Sequence, residues 1–294
     1  MRARVRKRQL YRRVTITGVV VGILVLLIVG FYFAYQTSNV FAQYNNERVS
    51  QSDLATLRQL SQPPYGPPSS SMVSMVKAYN GVPFTVNGKP LVVYIGADYC
   101  QFCAAQRWSL VLTLMRFGNI TGLEYMSSSP GEGDYATFTF ENASYASPYF
   151  VFQGFEMQNR NGQPLQTVPS NYTAAFAQYQ SSFPFLNFGN TRVISGALWP
   201  PTALGGDSWT TVYNAIRTGN PLGTQIKAGA NVMTALICKL TGNQPSSVCT
   251  ESPIGTIEIS VAYHQPPPLG AVDLAAVPIL SPPWAVSPPG EQHK

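Results

Sequence analysis

Histidine is nearly absent from this chain, charge is scarce, and cysteine is limited to four positions. The only imidazoles are His264 and His293, one in a Pro-rich stretch and one in the C-terminal tail. A hydrolase that depends on a buried, oriented His is therefore disfavoured. No H-E-x-x-H, G-x-S-x-G, P-loop or G-x-G-x-x-G constellation is present either. The cysteines are Cys100, Cys103, Cys238 and Cys249. Zinc needs four ligands, so a metal site would have to draw all four thiols together. That arrangement is a minor alternative; neither a metal nor another cofactor is expected. Charged residues make up 11% of the chain, against ~25% in an average domain. The net charge of +6 is concentrated: Arg2, Arg4, Arg6, Lys7, Arg8, Arg12 and Arg13 supply seven of the 19 basic residues. Without them, 12 basic residues face 13 acidic ones, and no basic surface remains to attract nucleic acid. Tyr, Ser, Thr, Asn and Gln supply the polarity instead. Such a surface changes little on acidification, which hints at an acidic exterior; compositional drift in a secreted protein accounts for it equally well.

Only one long apolar run occurs. Val14–Tyr35 is uncharged and 22 residues long, enough for a helix to cross a ~30 Å hydrocarbon core. Phe31, Tyr32, Phe33 and Tyr35 lie at its far end, where aromatic residues favour the membrane interface. The basic residues 1–13 should stay cytoplasmic and the C-terminal bulk should lie outside, as a single-pass membrane protein. A cleaved signal peptide is the rival, but the run exceeds the usual apolar core and no clear A-x-A site follows. Asn119-Ile120-Thr121, Asn142-Ala143-Ser144 and Asn171-Tyr172-Thr173 are glycosylation sequons compatible with an outside location.

After the anchor, Ser52–Leu60 reads as a short helix within a stalk and Pro/Ser linker spanning 36–71. An ectodomain follows over 72–264. Met72–Tyr79 looks helical. Asn87-Gly88 separates a short strand, Pro83–Val86, from the apolar run Leu91–Ile95. Cys103–Phe117 reads as a helix. Gly122–Met126, Tyr135–Phe140 and Tyr149–Phe155 read as β structure, and Asn171–Gln180 as a helix. Phe183–Gly196 reads as two strands around a Gly189-Asn190 turn. Ser208–Arg217 is a helix opened by a Ser cap, and Ala230–Leu240 is another. Ile257–Val261 alternates like a strand. The last 30 residues, 265–294, hold eight prolines and no periodicity; they read as a disordered tail.

The chemistry concentrates in Cys100-Gln101-Phe102-Cys103. A disulfide exchanger needs an activated thiolate, an accessible sulfur and a second thiol to resolve the mixed disulfide. A C-x-x-C pair at a helix start supplies all three, because the helix N-terminus favours a thiolate. Cys100 is the candidate exposed nucleophile and Cys103 the buried resolving thiol. Asp98 is placed either to assist proton transfer or, as is commoner, to cap the helix. Trp108, on the same helix as Arg107, belongs to the core. The aromatic cluster Tyr145, Tyr149, Phe150, Phe152 and Phe155 is a candidate peptide groove, with core packing the commoner role. Four Cys allow three pairings; Cys100–Cys103 and Cys238–Cys249 are preferred. The second is read as structural, with a shuttle to the first as the sharper alternative. A purely structural Cys100–Cys103 disulfide is also open, although small rings constrain the unfolded chain least.

Strand, CxxC and helix in this order resemble the thioredoxin superfamily. Phe183-Pro184-Phe185 followed by strand, turn, strand and helix extends the likeness, which covers about 75–245. The pattern is also similar to an archaeal membrane-anchored family of unknown function, typical of thermoacidophiles, with a CxxC thioredoxin-like core. The resemblance implies an α/β fold with a thioredoxin-like central mixed sheet and flanking helices. It also implies a cis bond before Pro184, with Phe183 and Pro184 ordering a substrate strand beside the thiols. Tyr99 replaces the usual Trp and Gln101-Phe102 the usual Gly-Pro, so redox direction is open. The 81 residues from Cys103 to Pro184 exceed what the fold needs, and an insertion is expected at about 127–175. The implied function is a membrane-anchored, extracytoplasmic thiol–disulfide oxidoreductase acting on protein thiols or disulfides, with a membrane redox partner as a candidate. The alternative is a non-catalytic cell-surface binding or assembly module with structural disulfides.

Overall fold

A computed structural model of the chain describes residues 2–37, 41–63, 66–255, 257 and 272–273. Helix α1, Arg2–Thr37, contains a 20-residue stretch, Arg13–Tyr32, of mean hydropathy 2.8 with none of it buried in the fold. It is long and apolar enough to cross a membrane, a property it shares with signal sequences at the same place in a chain.

The remainder is a mixed α/β structure around a central seven-stranded sheet. Its middle strand is β3, which runs Lys89–Gly96; the short β2, Phe84–Val86, precedes it across the Asn87-Gly88 turn. Both turn residues have positive φ, 51° and 74°, as a two-residue hairpin requires. β3 pairs parallel with β8, Val151–Glu156, and antiparallel with β9, Phe185–Phe188. β10, Arg192–Ser195, extends the sheet beyond β9 through the Gly189-Asn190 turn, and β1, Val76–Ala78, pairs antiparallel with β10.

Successive side chains of a strand point to opposite faces, and β3 is buried on both. Val92 and Tyr94 join one hydrophobic cluster, which includes Ala104, Trp108 and Leu112 of α4, Gln101–Phe117. Leu91, Val93 and Ile95 join a second cluster with Tyr172, Ala175 and Phe176 of α5, Ser170–Gln178. The unbroken apolar run is therefore what a strand covered on both faces demands. β9 divides in the same way, Leu186 and Phe188 to one side and Phe185 to the other. The result is a helix–sheet–helix sandwich.

α4 is buried around nearly its whole circumference. It is enclosed by the sheet, by β6 (Ala136–Thr139), by α2 (Gln51–Leu60) and by α7 (Pro221–Leu240). α6, Trp209–Thr218, packs on α7. The hydrogen bonds Ser109 Oγ to Ile226 O, Thr113 Oγ1 to Ala230 O, and Arg116 Nη1 to Thr234 Oγ1 advance together along both helices. α7 thus runs parallel to α4.

Several expectations need correction. The stalk over 36–71 is not free of the domain: α2, capped by Ser50, buries Leu57 and Leu60, while Phe41 and Val49 are also in the core. Arg58 donates to Gly118 O at 3.3 Å and Arg116 Nε to Ser61 O at 3.0 Å, so α2 clamps the end of α4. Met72–Tyr79 is not one helix. α3 covers Ser70–Ser74 and β1 follows, because β10 offers Val76–Ala78 a free edge. The expected insertion at about 127–175 contains β8, an edge strand of the central sheet. Before it come two small sheets: β4 (Asn119–Thr121) with β7 (Ser144–Ala146), and β5 (Glu124–Ser127) with β6. α7 starts nine residues before Ala230, at Pro221, behind an Asn220 cap. Its Gly223 lies against α6, where a Cβ would sit 2.0 Å from Ala215 O. The packing therefore requires the very residue that weakens the helical signal. Within the tail, Val272–Asp273 form β11, parallel to β2; its other residues lie outside those described. Ile257 lies in a helical turn, donating to Pro253 O, and the rest of that expected strand is likewise outside the described residues.

Candidate functional site

β3 delivers the chain to Ala97 and Asp98, and α4 begins three residues later. Cys100 itself occupies the N-cap: its backbone is extended, with φ −77° and ψ 124°, and its Sγ accepts the Cys103 N–H at 3.3 Å. An Asp or Ser commonly fills this position; here a thiol does. Both sulfurs are free. Cys103 has no exposed surface and Cys100 keeps 6%, so the expected exposed nucleophile is in fact nearly covered. Ala97, Tyr99 and Phe183 pack around the pair. Phe102, between the cysteines, is 46% exposed.

The two thiols are electrostatically unequal. The Cys100 thiol is held below its ordinary value by the hydrogen bond from the Cys103 thiol, against the effect of burial. The Cys103 and Phe102 amides and Arg107 lower it further. Burial pushes Cys103 well above its ordinary value. One thiol is set to ionise and the other to keep its proton.

Beneath them lies a set of buried charges whose pairing, and whose Glu156, sequence reasoning missed. Arg107 donates from Nε and Nη2 to Glu156 Oε1 and Oε2 at 3.0 and 2.6 Å, with both side chains fully buried. Nη2 also donates to Ala97 O at 2.8 Å, and the guanidinium carbon lies 5.9 Å from the centre of the Tyr94 ring. Glu156 is placed by the parallel pairing of β8 with β3, which sets it opposite Gly96. Burial raises its pKa and Arg107 opposes the rise. A local signal did exist: Arg107 follows Cys103 by four residues, which puts the two on one helix face.

Asp98 is not the cap. Its carboxyl is 1% exposed and stands 3.5 Å from Arg107 Nη2. Burial, then the Glu156 charge, raises its pKa to about 7. Its Oδ1 accepts no hydrogen bond among the described residues.

The peptide bond before Pro184 is cis, and Phe183 touches the thiol cluster. Pro184 O accepts the Gly196 N–H at 2.8 Å, while no hydrogen bond engages the Phe183 backbone among the described residues. The structure therefore gathers Cys100, Cys103, Phe183 and Pro184 in one place. Residues 74–239 match the model of a protein family described as a domain of unknown function, DUF929. The chain belongs to that family. No curated protein and no solved structure matches it. The family segment takes in the CxxC pair and the β9–β10 hairpin but neither α2 nor Cys249.

The other nominated residues lie elsewhere. Cys238 and Cys249 form a disulfide, with S–S 2.01 Å and Cα–Cα 5.5 Å. Since α7 is parallel to α4, this bond lies past the C-terminal end of α4, roughly 24 Å of helix from Cys100. That separation removes the direct shuttle, and the bond itself removes a shared four-Cys metal site. Among the described residues no cluster of three or more His, Cys, Asp or Glu is arranged for a metal. Asn119 and Asn142 are exposed near the C-terminal end of α4, and Asn171 is half-buried in the first turn of α5. Of the aromatic cluster, Phe150 is 1% exposed and pairs with Phe117 and Tyr145, while Phe152 meets Phe140 and Tyr145. That is core packing, not a groove.

Proposed function

We propose that this chain is a thiol–disulfide oxidoreductase of thioredoxin-like architecture, anchored by α1 with its folded part outside the cytoplasm. The strand order β8–β3–β9–β10 supports the architecture. β8 runs parallel and β9 antiparallel to β3, and the CxxC pair follows β3. This is the plan that the resemblance implies, with β4–β7 as an addition to it.

The observation that carries the function is the asymmetry of the two free thiols on one helix end, Cys100 pushed toward the thiolate and Cys103 toward the thiol. A closed structural staple would need neither. In the reducing direction the Cys100 thiolate attacks one sulfur of a substrate disulfide. A Cys100–substrate bond forms and the other substrate sulfur leaves as a thiolate. Cys103, losing its proton, then attacks the Cys100 sulfur. The Cys100–Cys103 disulfide forms, the second substrate thiolate departs, and two electrons have passed to the substrate. The oxidising direction is the reverse. Asp98, with a pKa of about 7 two residues from Cys100, is the nearby carboxyl able to exchange a proton at neutral pH.

The test uses the detergent-solubilised full chain, with insulin as disulfide substrate in a glutathione buffer. The expected result is faster exchange than glutathione alone supports, with the acceleration lost in Cys100→Ser. Equal acceleration by the two proteins would sink the proposal.

A further inference from the structure

Beside Tyr99, the residue before Cys100, runs an open cleft of about 490 Å³. Its walls are two loops that belong to neither the CxxC turn nor the β9–β10 hairpin: Ser129, Pro130, Gly131 and Glu132 on one side, Gln158, Arg160, Asn161 and Gly162 on the other. Tyr99 belongs to the lining of the cleft and leads directly into Cys100.

The cleft is preformed. Ser129 N–H donates to Tyr99 O at 3.0 Å, and Asp98 N–H donates to Gln158 O at 2.8 Å. Both walls are therefore tied to the residues leading into the CxxC. Arg160 ties them to each other. Its Nε reaches Ser127 O and Ser128 O at 3.1 Å, and its Nη2 reaches Asp134 Oδ1 at 2.7 Å. Arg160 thus spends its charge inside the wall, in an ion pair with Asp134 that is mostly shielded from solvent.

Glu132 is different. Its backbone is engaged with Ser128 and Ser129, yet no cation pairs with its carboxylate among the described residues. Burial and then the two thiols raise the pKa of the Tyr99 phenol, and the Glu132 charge adds a small further push. With Arg160 and Asp134 cancelling, the cleft carries the Glu132 charge beside Tyr99, the residue before Cys100. A peptide whose cysteine reaches Cys100 from this side lays its neighbouring residues over Tyr99. An extended chain advances ~3.4 Å per residue, so the side chain one or two positions from that cysteine enters the cleft.

We infer that the cleft is a specificity subsite that selects polypeptide substrates bearing a Lys or Arg one or two residues from the reacting cysteine, with Glu132 as the selecting residue. This rests on Cys100 being the attacking thiol.

The experiment uses the reduced full chain in detergent and two short peptides, each with its cysteine activated as a mixed disulfide with thionitrobenzoate. One peptide carries Lys two residues from the cysteine and the other Glu. When the Cys100 thiolate attacks the peptide sulfur, the Cys100–peptide disulfide forms and thionitrobenzoate leaves as a coloured thiolate, which gives the rate. At low ionic strength the Lys peptide is expected to react about tenfold faster than the Glu peptide, with the ratio shrinking in salt. Glu132→Gln should bring the ratio close to one, and Glu132→Lys should invert it. A wild-type ratio near one at low salt, or a preference unchanged in Glu132→Gln, would overturn the inference. Because the wild-type ratio alone is decisive, the test survives a variant that fails to fold. The insulin assay separates the two proposals. Peptide discrimination without insulin exchange leaves the subsite standing and removes the oxidoreductase; insulin exchange without discrimination removes the subsite alone.

Discussion

The chain holds two cysteine pairs that differ in almost everything except burial. Cys100 and Cys103 sit at the N-terminal end of α4 over Arg107, Glu156 and Asp98, and both are free. Cys238 and Cys249 sit at the C-terminal end of α7 among apolar neighbours of the main core, and they are bonded to each other. All four keep 6% or less of their surface. Exposure therefore does not separate the free pair from the bonded one here. What separates them is the charge and the hydrogen-bond donors each sulfur faces: helix amides and a guanidinium for Cys100, hydrocarbon for Cys238.

The largest expected effect is on reactivity. Treatment of the folded, unreduced chain with a neutral alkylating agent should label Cys100 about 100-fold faster than Cys103, and should leave Cys238 and Cys249 unlabelled. Peptide mass mapping reads the order directly. Equal labelling of Cys100 and Cys103 would break the comparison at its first term.

Next comes the charge beneath the reactive pair. Arg107→Leu leaves Glu156 buried without its partner, and removing one member of a buried ion pair costs about 3–5 kcal/mol. The same change withdraws a positive charge from Cys100, so its thiol should titrate at higher pH than in the parent. Adding Glu156→Gln should restore much of the stability but not the thiol's acidity. Recovery of both would mean that the guanidinium acts only through folding.

The difference between the pairs was only partly legible in the residues. The strand Leu91–Ile95, the helix after it and the hairpins at Asn87-Gly88 and Gly189-Asn190 could be read locally, because period, apolar runs and turn residues are local properties. The pairing Arg107–Glu156 joins residues 49 apart in sequence, and it depends on β8 lying parallel beside β3. Nothing in Val151–Glu156 announces which strand it will meet. β1 is hidden for the same reason. Val76-Lys77-Ala78 becomes a strand because β10 presents an edge, not because of its own pattern. α2 looked like part of a stalk because its apolar face, Leu57 and Leu60, is short; its docking partner, the end of α4, lies more than 50 residues away. The Asn220-Pro221 start of α7 was a signal that could have been used, since Asn caps and Pro favours the first helical position.

A smaller effect follows from Asp98. Its carboxyl is raised from 3.8 in the unfolded chain to about 7 in the fold. Below pH 4 both states hold the proton. Between about pH 4 and pH 7 the unfolded chain loses it first, so this group makes the fold progressively less stable as pH rises. Above about 7 the loss levels off, at about 4 kcal/mol for this difference in proton affinity. Glu156 is shifted in the same direction by burial, so the two act together. Asp98→Asn keeps an oxygen that can face Arg107 and removes the ionisation. The variant should match the parent in thermal stability near pH 3.5 and exceed it at pH 8, where unfolding curves give the difference. A gain at pH 3.5 equal to that at pH 8 would show that ionisation of Asp98 is not the cause.

The smallest effect belongs to the other pair. The Cys238–Cys249 bond spans 11 residues, and a loop of that size restricts the unfolded chain by about 2–3 kcal/mol. Replacing both cysteines with Ser should lower stability by that amount. It should leave the insulin exchange rate and the alkylation rate of Cys100 unchanged, because α4 and α7 are joined along their length by Ser109, Thr113 and Arg116 and not through the disulfide. The two measurements test the contrast from its inert side. If exchange at Cys100 fell while the fold persisted, the distant bond would have to communicate with the reactive pair. The division of the four cysteines into one chemical pair and one mechanical pair would then be wrong. If stability fell and exchange did not, the charges around Cys100 alone would account for its reactivity.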